Sequence, residues 1–320
     1  MRSTFGYKRI TVLAMMLGFV ALKVITKRLL RPVADLLIAS SNELHGRIDS
    51  RITGTIMREA GIAAKYYPDS CYVVVKQSPA VEFPVPPPDL WEGYALTEEG
   101  YLKSGKEHVQ RMVQILGESG FCFGPKMRIL DFGCAAARML RHVVEIAKDG
   151  ELWGVDISAR HIAWCKQNLS RSPLNFATIN TAPHLPFEDH SFDLIYAGSV
   201  FTHIADLIDA WLLELRRILK PGGRIYATIH DRNTIDLLLN TESRRGHPLR
   251  SALVDYDKKT NVLGRDFGMF IIPGTPRGSQ VFYDTDYLKD TWGRIFTVLS
   301  VIPLAYGYQT GILLQKMKPS

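Results

Sequence analysis

From residue 96 onward, apolar positions recur in stretches that alternate between helical and strand spacing. Over 96–117, Val109, Met112, Val113 and Leu116 share one face, which predicts a helix opened by the capping pattern Thr97-Glu98-Glu99-Gly100. The apolar run Arg128–Phe132 predicts a strand, 133–137 a tight turn of small residues, and 138–148 a helix with Met139, Val143 and Ile146 on one face. Gly150 stops that helix, and residues 152–155 predict a second strand ending in Asp156. Ser158 caps a helix over Ala159–Leu169, 175–179 predicts a third strand, and Phe192–Ala197 a buried fourth. Residues 206–220 carry the clearest stripe in the chain: Leu207, Ile208, Trp211, Leu212, Leu215, Ile218 and Leu219. Asp206 and Asp209 stand at its positive end and Arg216, Arg217 and Lys220 at its negative end, as the helix dipole favours. Pro221-Gly222-Gly223 ends it, 224–229 predicts a fifth strand, 286–292 a helix, and 296–302 with 307–315 a closing hairpin. Residues 230–283 are the least periodic part of the body.

Strand, small-residue turn, helix, strand and terminal acid make the first half of a nucleotide-binding α/β unit. Small residues in the turn let backbone and helix N-terminus approach a ligand, and Asp156 can accept hydrogen bonds from ribose hydroxyls. Two readings compete for it. A dinucleotide dehydrogenase wants G-x-G-x-x-G, whereas this turn places Gly133, Ala135 and Ala137 at alternate positions and Asp131 two residues before the glycine.

That spacing, DFGCAAA, resembles motif I of class I S-adenosylmethionine (SAM) methyltransferases, D-x-G-x-G-x-G. Two glycines of the pattern are alanines here, which leaves room for a ligand but disfavours positive φ. LPF-x-x-x-SFDLIYA resembles motifs II and III of the same family, and LLELRRILKPGGRIYATI its post-motif III. Three matches in order extend the resemblance over roughly residues 95–316; a dehydrogenase has no reason to place the last helix and PGG turn there. The resemblance implies a Rossmann-like α/β fold, a seven-stranded sheet with helices on both faces, preceded by an N-terminal helical extension. It implies SAM as cofactor, held by Asp131, Gly133, Cys134, Ala135, Asp156, Ile157, Thr181, Ala182 and Gly198. Tyr101 and Ser104, on the helix before the first strand, would help cover it. The family often uses an acidic residue before LPF for the adenine amino group. Here Asn180-Thr181-Ala182 stands there, so a neutral side chain or backbone must serve.

Methyl transfer needs an acceptor aligned behind the methyl group and water excluded, with a base only where the acceptor carries a proton. His203 and His230, each following a predicted strand at the ligand-binding end of the sheet, are the candidate bases; packing beside the cofactor is the competing role. His184 reads as a surface histidine. Asp231 and Asn233 offer oxygen ligands to a divalent ion without a third, which fits a solvated loop better; no metal is expected. The run YGYQTGILLQK is similar to the ends of bacterial methyltransferases acting on glycans or small metabolites. The expected activity is therefore transfer to an oxygen or nitrogen of a small-molecule or glycan acceptor. A SAM-fold protein that has lost catalysis and serves as a binding or scaffolding partner is the alternative, motivated by Ala135 and Ala137.

Charge and the N-terminus change the picture only at the edges. The net charge is +7, but residues 1–60 hold ten Lys/Arg against four Asp/Glu, so the remainder is nearly neutral. No basic groove for nucleic acid is indicated, and no N/D-P-P-Y-type motif follows the fourth strand. Cys71, Cys122, Cys134 and Cys165 lack C-x-x-C spacing, which fits reduced thiols in a cytosolic protein. Residues 10–22 are apolar all round and flanked by Lys8-Arg9 and by Lys23, Lys27, Arg28 and Arg31. The run is short for a relaxed span, and reads as a membrane anchor over 10–25 or as a helix buried against body or partner. A cleaved signal peptide is a third reading, disfavoured because no A-x-A-like site follows. The flanking charge places the body in the cytoplasm, at the inner face of a membrane if the anchor holds. The expected organisation is residues 1–31 as this segment, 32–94 as a helical extension with a strand over 71–76 and a Pro-rich linker, and 95–320 as the catalytic body.

Overall fold

The computed structural model describes residues 83–317, apart from 148, 171–172 and 276–277. The apolar segment over 10–25, the helical extension and the strand over 71–76 lie outside the described residues. The elements run α1 (Glu98–Glu118), β1 (Arg128–Phe132), α2 (Leu140–Val143), β2 (Glu151–Asp156), α3 (Ala159–Leu169), β3 (Leu174–Thr178), β4 (Phe192–Ala197), α4 (Ile208–Ile218) and β5 (Leu219–Ile229). There follow α5 (Arg232–Asn240), α6 (Pro248–Thr260), β6 (Met269–Thr275), β7 (Gly278–Tyr283), α7 (Thr285–Gly293), β8 (Thr297–Tyr306) and β9 (Gln309–Gln315).

Seven strands form one sheet in the order β3-β2-β1-β4-β5-β9-β8, parallel from β3 to β5 and closed by the antiparallel pairs β5–β9 and β9–β8. This is the Rossmann-like sheet with helices on both faces. The order reverses between β1 and β4, and open parallel sheets bind ligands beyond the carboxyl ends of the strands at such a reversal. Side chains of a strand alternate between faces. Accordingly Ile129, Leu194 and Tyr196 join a core with Met112 of α1, Leu140 of α2 and Ile162 of α3. Leu130, Ile195 and Ala197 join the opposite core with Trp211, Leu212 and Leu215 of α4 and Trp292 of α7. Removing a side chain such as Leu212, fully buried there, would cost about 2–5 kcal/mol.

Two local expectations are corrected. The helix predicted over 138–148 shrinks to Leu140–Val143, because Ala137 is left-handed at φ 58 and no side chain caps the helix at Met139. The strand predicted from residue 224 starts at Leu219 and runs through Pro221-Gly222-Gly223, with a register shift against β4 absorbing the extra residues. Residues 230–283, the least periodic part of the sequence, contain α5, α6 and the β6–β7 hairpin. They bury a separate small core of Ile235, Leu238, Leu249, Leu253, Phe270 and Phe282. That core is assembled from two short helices and a hairpin spread over residues 235–282, so no long stripe announces it in the sequence.

The prolines at 84–88 do not form a bare linker either. A 3₁₀ turn, Pro88–Leu90, seats Leu90 and Trp91 in the body. The Trp91 indole N–H donates to the Pro86 carbonyl at 2.7 Å, and its ring stacks on Tyr101 at 5.5 Å. Among the described residues no helix is long and apolar enough to cross a membrane.

Candidate active site

The turn after β1 is built from hydrogen bonds to β2. Gly133 and Cys134 both donate to the Val155 carbonyl, at 2.8 and 3.0 Å. Gly133 has φ 83, and a Cβ there would come within 2.4 Å of Val200 Cγ2, so glycine is required on two counts. Ala135 and Ala137 also adopt positive φ, 45° and 58°. The backbone therefore keeps the shape that glycines would give it, against the expectation that alanine turns it away from positive φ. Asp156 closes the turn: Oδ2 accepts from Ala135 N at 2.8 Å and Oδ1 from Ser158 N at 2.8 Å. Burial pushes its carboxyl above the ordinary range while those two hydrogen bonds pull the other way.

Over this turn lies a small, partly open cleft, lined by Leu90, Trp91, Glu92, Tyr94, Tyr101, Asp131, Gly133, Cys134, Ala135, Arg138, Met139, Gly198 and Tyr306. Six residues singled out from sequence meet in it: Tyr101, Asp131, Gly133, Cys134, Ala135 and Gly198. Asp131 is 4% exposed, and burial pushes its carboxyl up to about 8, opposed by the neighbouring Tyr196 hydroxyl and by Arg138. Tyr101 is buried with its hydroxyl 3.5 Å from the Ala136 carbonyl, and Ser104 donates to the Tyr101 carbonyl at 3.0 Å. The Cys134 thiol is buried and raised well above its ordinary range by desolvation.

The other expected cofactor residues stand outside the cleft lining. Asp156 is behind the turn, and Ile157 is 61% exposed at the end of β2. In the loop after β3, Asn180 Oδ1 accepts from Ala182 N at 2.9 Å, with Thr181 half-buried and Ala182 exposed.

Arg138 is the residue sequence reasoning missed. Its guanidinium is buried at the cleft wall, donating to Ser104 Oγ at 3.3 Å and lying 3.1 Å from His108 Nδ1. It also donates to the Tyr306 hydroxyl and stands 3.8 Å over the Tyr94 ring. Burial, helped by Arg138, pulls His108 down to about 3. The ring is neutral and can accept from Arg138. The available signal was an arginine placed directly after the small-residue turn. Its partners Tyr94 and Tyr306 are too distant in sequence to be read from it.

The candidate bases fare differently. His203 is half-buried in the turn after β4, with Nδ1 3.0 Å from the Ser279 carbonyl. His230 is 1% exposed. Its Nε2 lies 3.2 Å from Gln280 Oε1, its ring stacks on Tyr308, and burial pulls it down to about 3. In this conformation His230 is a neutral core histidine that meets Gln280 rather than a ligand. His184 is exposed on the surface. Asp231 is no solvated ligand: it is buried, caps α5 through Thr234 N at 3.0 Å, and accepts from Asn233 and Thr310 at 2.8 and 2.7 Å. Those bonds occupy the oxygens an ion would need. Among the described residues no cluster of three His, Cys, Asp or Glu is arranged to hold a metal.

The donors of this cleft fit a cationic, carboxylate-bearing nucleoside. The cleft presents a buried acid, a buried guanidinium and a glycine-shaped turn that admits close backbone approach. A family model described as a methyltransferase domain matches residues 130–227. The demethylmenaquinone methyltransferase of Symbiobacterium thermophilum is 35% identical over 106 residues, covering 32% of this chain and 42% of the relative. An uncharacterized methyltransferase of Schizosaccharomyces pombe is 30% identical over 106 residues, 31% of this chain and 38% of that protein. The chain thus spans less than half the length of these relatives. Among solved structures, a SAM-dependent methyltransferase of Methanosarcina mazei is similar with a TM-score of 0.44 and 20% identity, over 61% of this chain and 95% of that one.

Proposed function

We propose that this chain, which carries a class I SAM-dependent methyltransferase domain at residues 130–227, is an active enzyme that methylates an oxygen or nitrogen of a small molecule. The observation that carries the reading is the junction of Asp131, the Gly133–Ala135 turn and Arg138 in one cleft, at the carboxyl end of β1. In this reading Asp131 faces the cofactor's ammonium, Arg138 its carboxylate and Asp156 its ribose. Ile157, Thr181 and Ala182 border the adenine, and Tyr101 covers the cleft from α1. When bound, SAM supplies a methyl group on a sulfonium, whose carbon–sulfur bond breaks with its electron pair left on sulfur. His203 takes the acceptor's proton and passes it to solvent.

The curated relatives named as demethylmenaquinone methyltransferases favour a small-molecule acceptor over a glycan. The inactive-scaffold reading loses its motive, because Ala135 and Ala137 hold the positive φ that the turn requires. Titration calorimetry with SAM tests the cofactor, and methyl-labelled SAM offered with separated small-metabolite and glycan fractions tests the acceptor. Absence of SAM binding would overturn the whole reading; label entering glycans alone would overturn the acceptor class.

Residues 10–25 are proposed to hold a cytoplasmic body at the inner face of a membrane through their apolar run and basic flanks. Deleting residues 1–31 should then move the protein from the membrane pellet to the soluble fraction without loss of SAM binding. A full-length chain already wholly soluble would end that idea.

A further inference from the structure

The segment before α1 gives Leu90, Trp91, Glu92 and Tyr94 to the cleft wall, and it is fastened on both sides of Glu92. Upstream, Asp89 pairs with Arg160 of α3, and Leu90 and Trp91 are buried. Downstream, the Tyr94 ring lies under the Arg138 guanidinium, and its hydroxyl accepts from that of Tyr306 at 3.2 Å. Between these anchors the chain makes a tight turn: Tyr94 N donates to the Trp91 carbonyl at 3.0 Å. The two residues at its tip, Glu92 and Gly93, are left-handed at φ 52 and 71. A glutamate persists there only where its surroundings fix it.

Glu92 and Asp131 are the acids of the cleft wall. Asp131 ends β1, whereas Glu92 reaches toward the exit of β2. Its Oε1 stands 3.1 Å from His161 Nε2, and His161 Nδ1 is 2.6 Å from Ser158 Oγ, the cap of α3. Burial pulls the His161 ring down, yet Glu92 and Asp156 together hold it above its ordinary value. Glu92 also adds to the rise that burial imposes on the Asp156 carboxyl. Both acids therefore act on one imidazole, which puts Glu92 on the β2 side of the cleft. Asp156 already accepts from Ala135 N and Ser158 N and stands behind the turn. Of the two, Glu92 is the acid that the cleft wall presents.

We propose that Glu92 is a cofactor-binding residue, accepting a hydrogen bond from a ribose hydroxyl on the face of the cleft opposite the sheet. The proposal rests on the reading of this cleft as the SAM site, and it adds a second ribose acid to Asp156. Neighbouring carboxylates repel, and donors placed between them relieve the repulsion. A vicinal diol brings two O–H donors, and a carboxylate accepts several hydrogen bonds at once, so holding the ribose does not require Glu92 to leave His161. The contact would tie the nucleoside to the segment 88–94 as well as to the strands.

Calorimetry on the full chain with S-adenosylhomocysteine and with its 2′-deoxy and 3′-deoxy analogues tests this without any acceptor. Glu92→Ala should weaken S-adenosylhomocysteine binding by about tenfold or more, the worth of a hydrogen bond to a charged group. Glu92→Gln, which keeps one acceptor oxygen, should lose less. The loss should disappear with one of the two analogues, the one lacking the hydroxyl that Glu92 holds. Equal losses with all three ligands would make Glu92 a prop of the cleft wall, and no loss in Glu92→Ala would take it off the cofactor; either result overturns the proposal. Should Glu92→Ala fail to fold, the same comparison in Glu92→Gln decides it. A wild-type chain that binds none of the three ligands overturns the cofactor reading itself, a result distinct from the loss of the Glu92 contact alone.

Discussion

Asp156 and Ala135 are joined across the motif turn by a 2.8 Å hydrogen bond from the Ala135 amide to the Asp156 carboxylate, 21 residues away in sequence. The acid at the end of β2 therefore shapes the turn, in addition to the ribose contact proposed for it. Asp156→Ala leaves the Ala135 and Ser158 amides without this acceptor, a cost of about 1–3 kcal/mol each in stability. Asp156→Asn is gentler, because one oxygen remains. Calorimetry on Asp156→Asn should show SAM affinity lower by roughly tenfold or more, as charge-assisted bonds are lost. Unchanged affinity would remove Asp156 from the cofactor site.

Ala135, at φ 45, carries a left-handed strain of roughly 1–2 kcal/mol that glycine does not. Glycine adds unfolded-state entropy worth about 0.4–1 kcal/mol, so the two effects nearly cancel. Ala135→Gly should leave denaturant stability unchanged or slightly raised, where Ala→Gly elsewhere lowers it. A clear loss of stability in urea melts would mean that the turn is not strained at this position.

Asp131 sets a pH dependence whose sign is fixed by its raised carboxyl. The folded chain keeps the Asp131 proton up to about pH 8, while the unfolded chain releases it near the ordinary 3.8. Its contribution to stability is therefore largest below pH 4 and declines as pH rises toward 8. Asp131→Asn should flatten that decline in thermal melts from pH 5 to 9, with the fold intact, and should weaken SAM binding. An equally steep slope in the variant would assign the pH dependence to other groups.

Arg138 serves Ser104, His108 and Tyr306 from one planar fork. A lysine ammonium offers a single point and cannot reproduce that set. If the guanidinium also meets the cofactor's carboxylate, Arg138→Met should lower SAM affinity by about 1.5–3 kcal/mol, and Arg138→Lys should recover only part of it. Full recovery with lysine in a binding titration would reduce Arg138 to a point charge.

Where a signal is local, it was legible in the chain. The bounds of β1, β4 and α3 agree with their apolar spacing, and the caps at Thr97 and Ser158 form as the residue types predict. The turn after β1 could be located from DFGCAAA, because small residues between a strand and an apolar stripe have few other uses. The sign of φ at Ala135 and Ala137 could not. An isolated alanine resists the left-handed region, and here the hydrogen bonds to Val155 and Asp156 surround and hold the turn.

By itself, the order of strand, small-residue turn, helix and strand over 127–157 determined the first half of a nucleotide-binding α/β unit, and the motif resemblance carried by DFGCAAA and the two later stretches extended it to a Rossmann-like sheet. The tertiary structure alone decided what surrounds that turn. It brought Tyr306 onto Arg138 from 168 residues away and Gln280 between His203 and His230 from 77 and 50 residues away. It also sealed His230 from ligands while leaving His203 half-buried. Such pairings come from the sheet's crossovers and from a hairpin docked between two strand exits, and no periodicity along the chain encodes which distant side chains those will bring together.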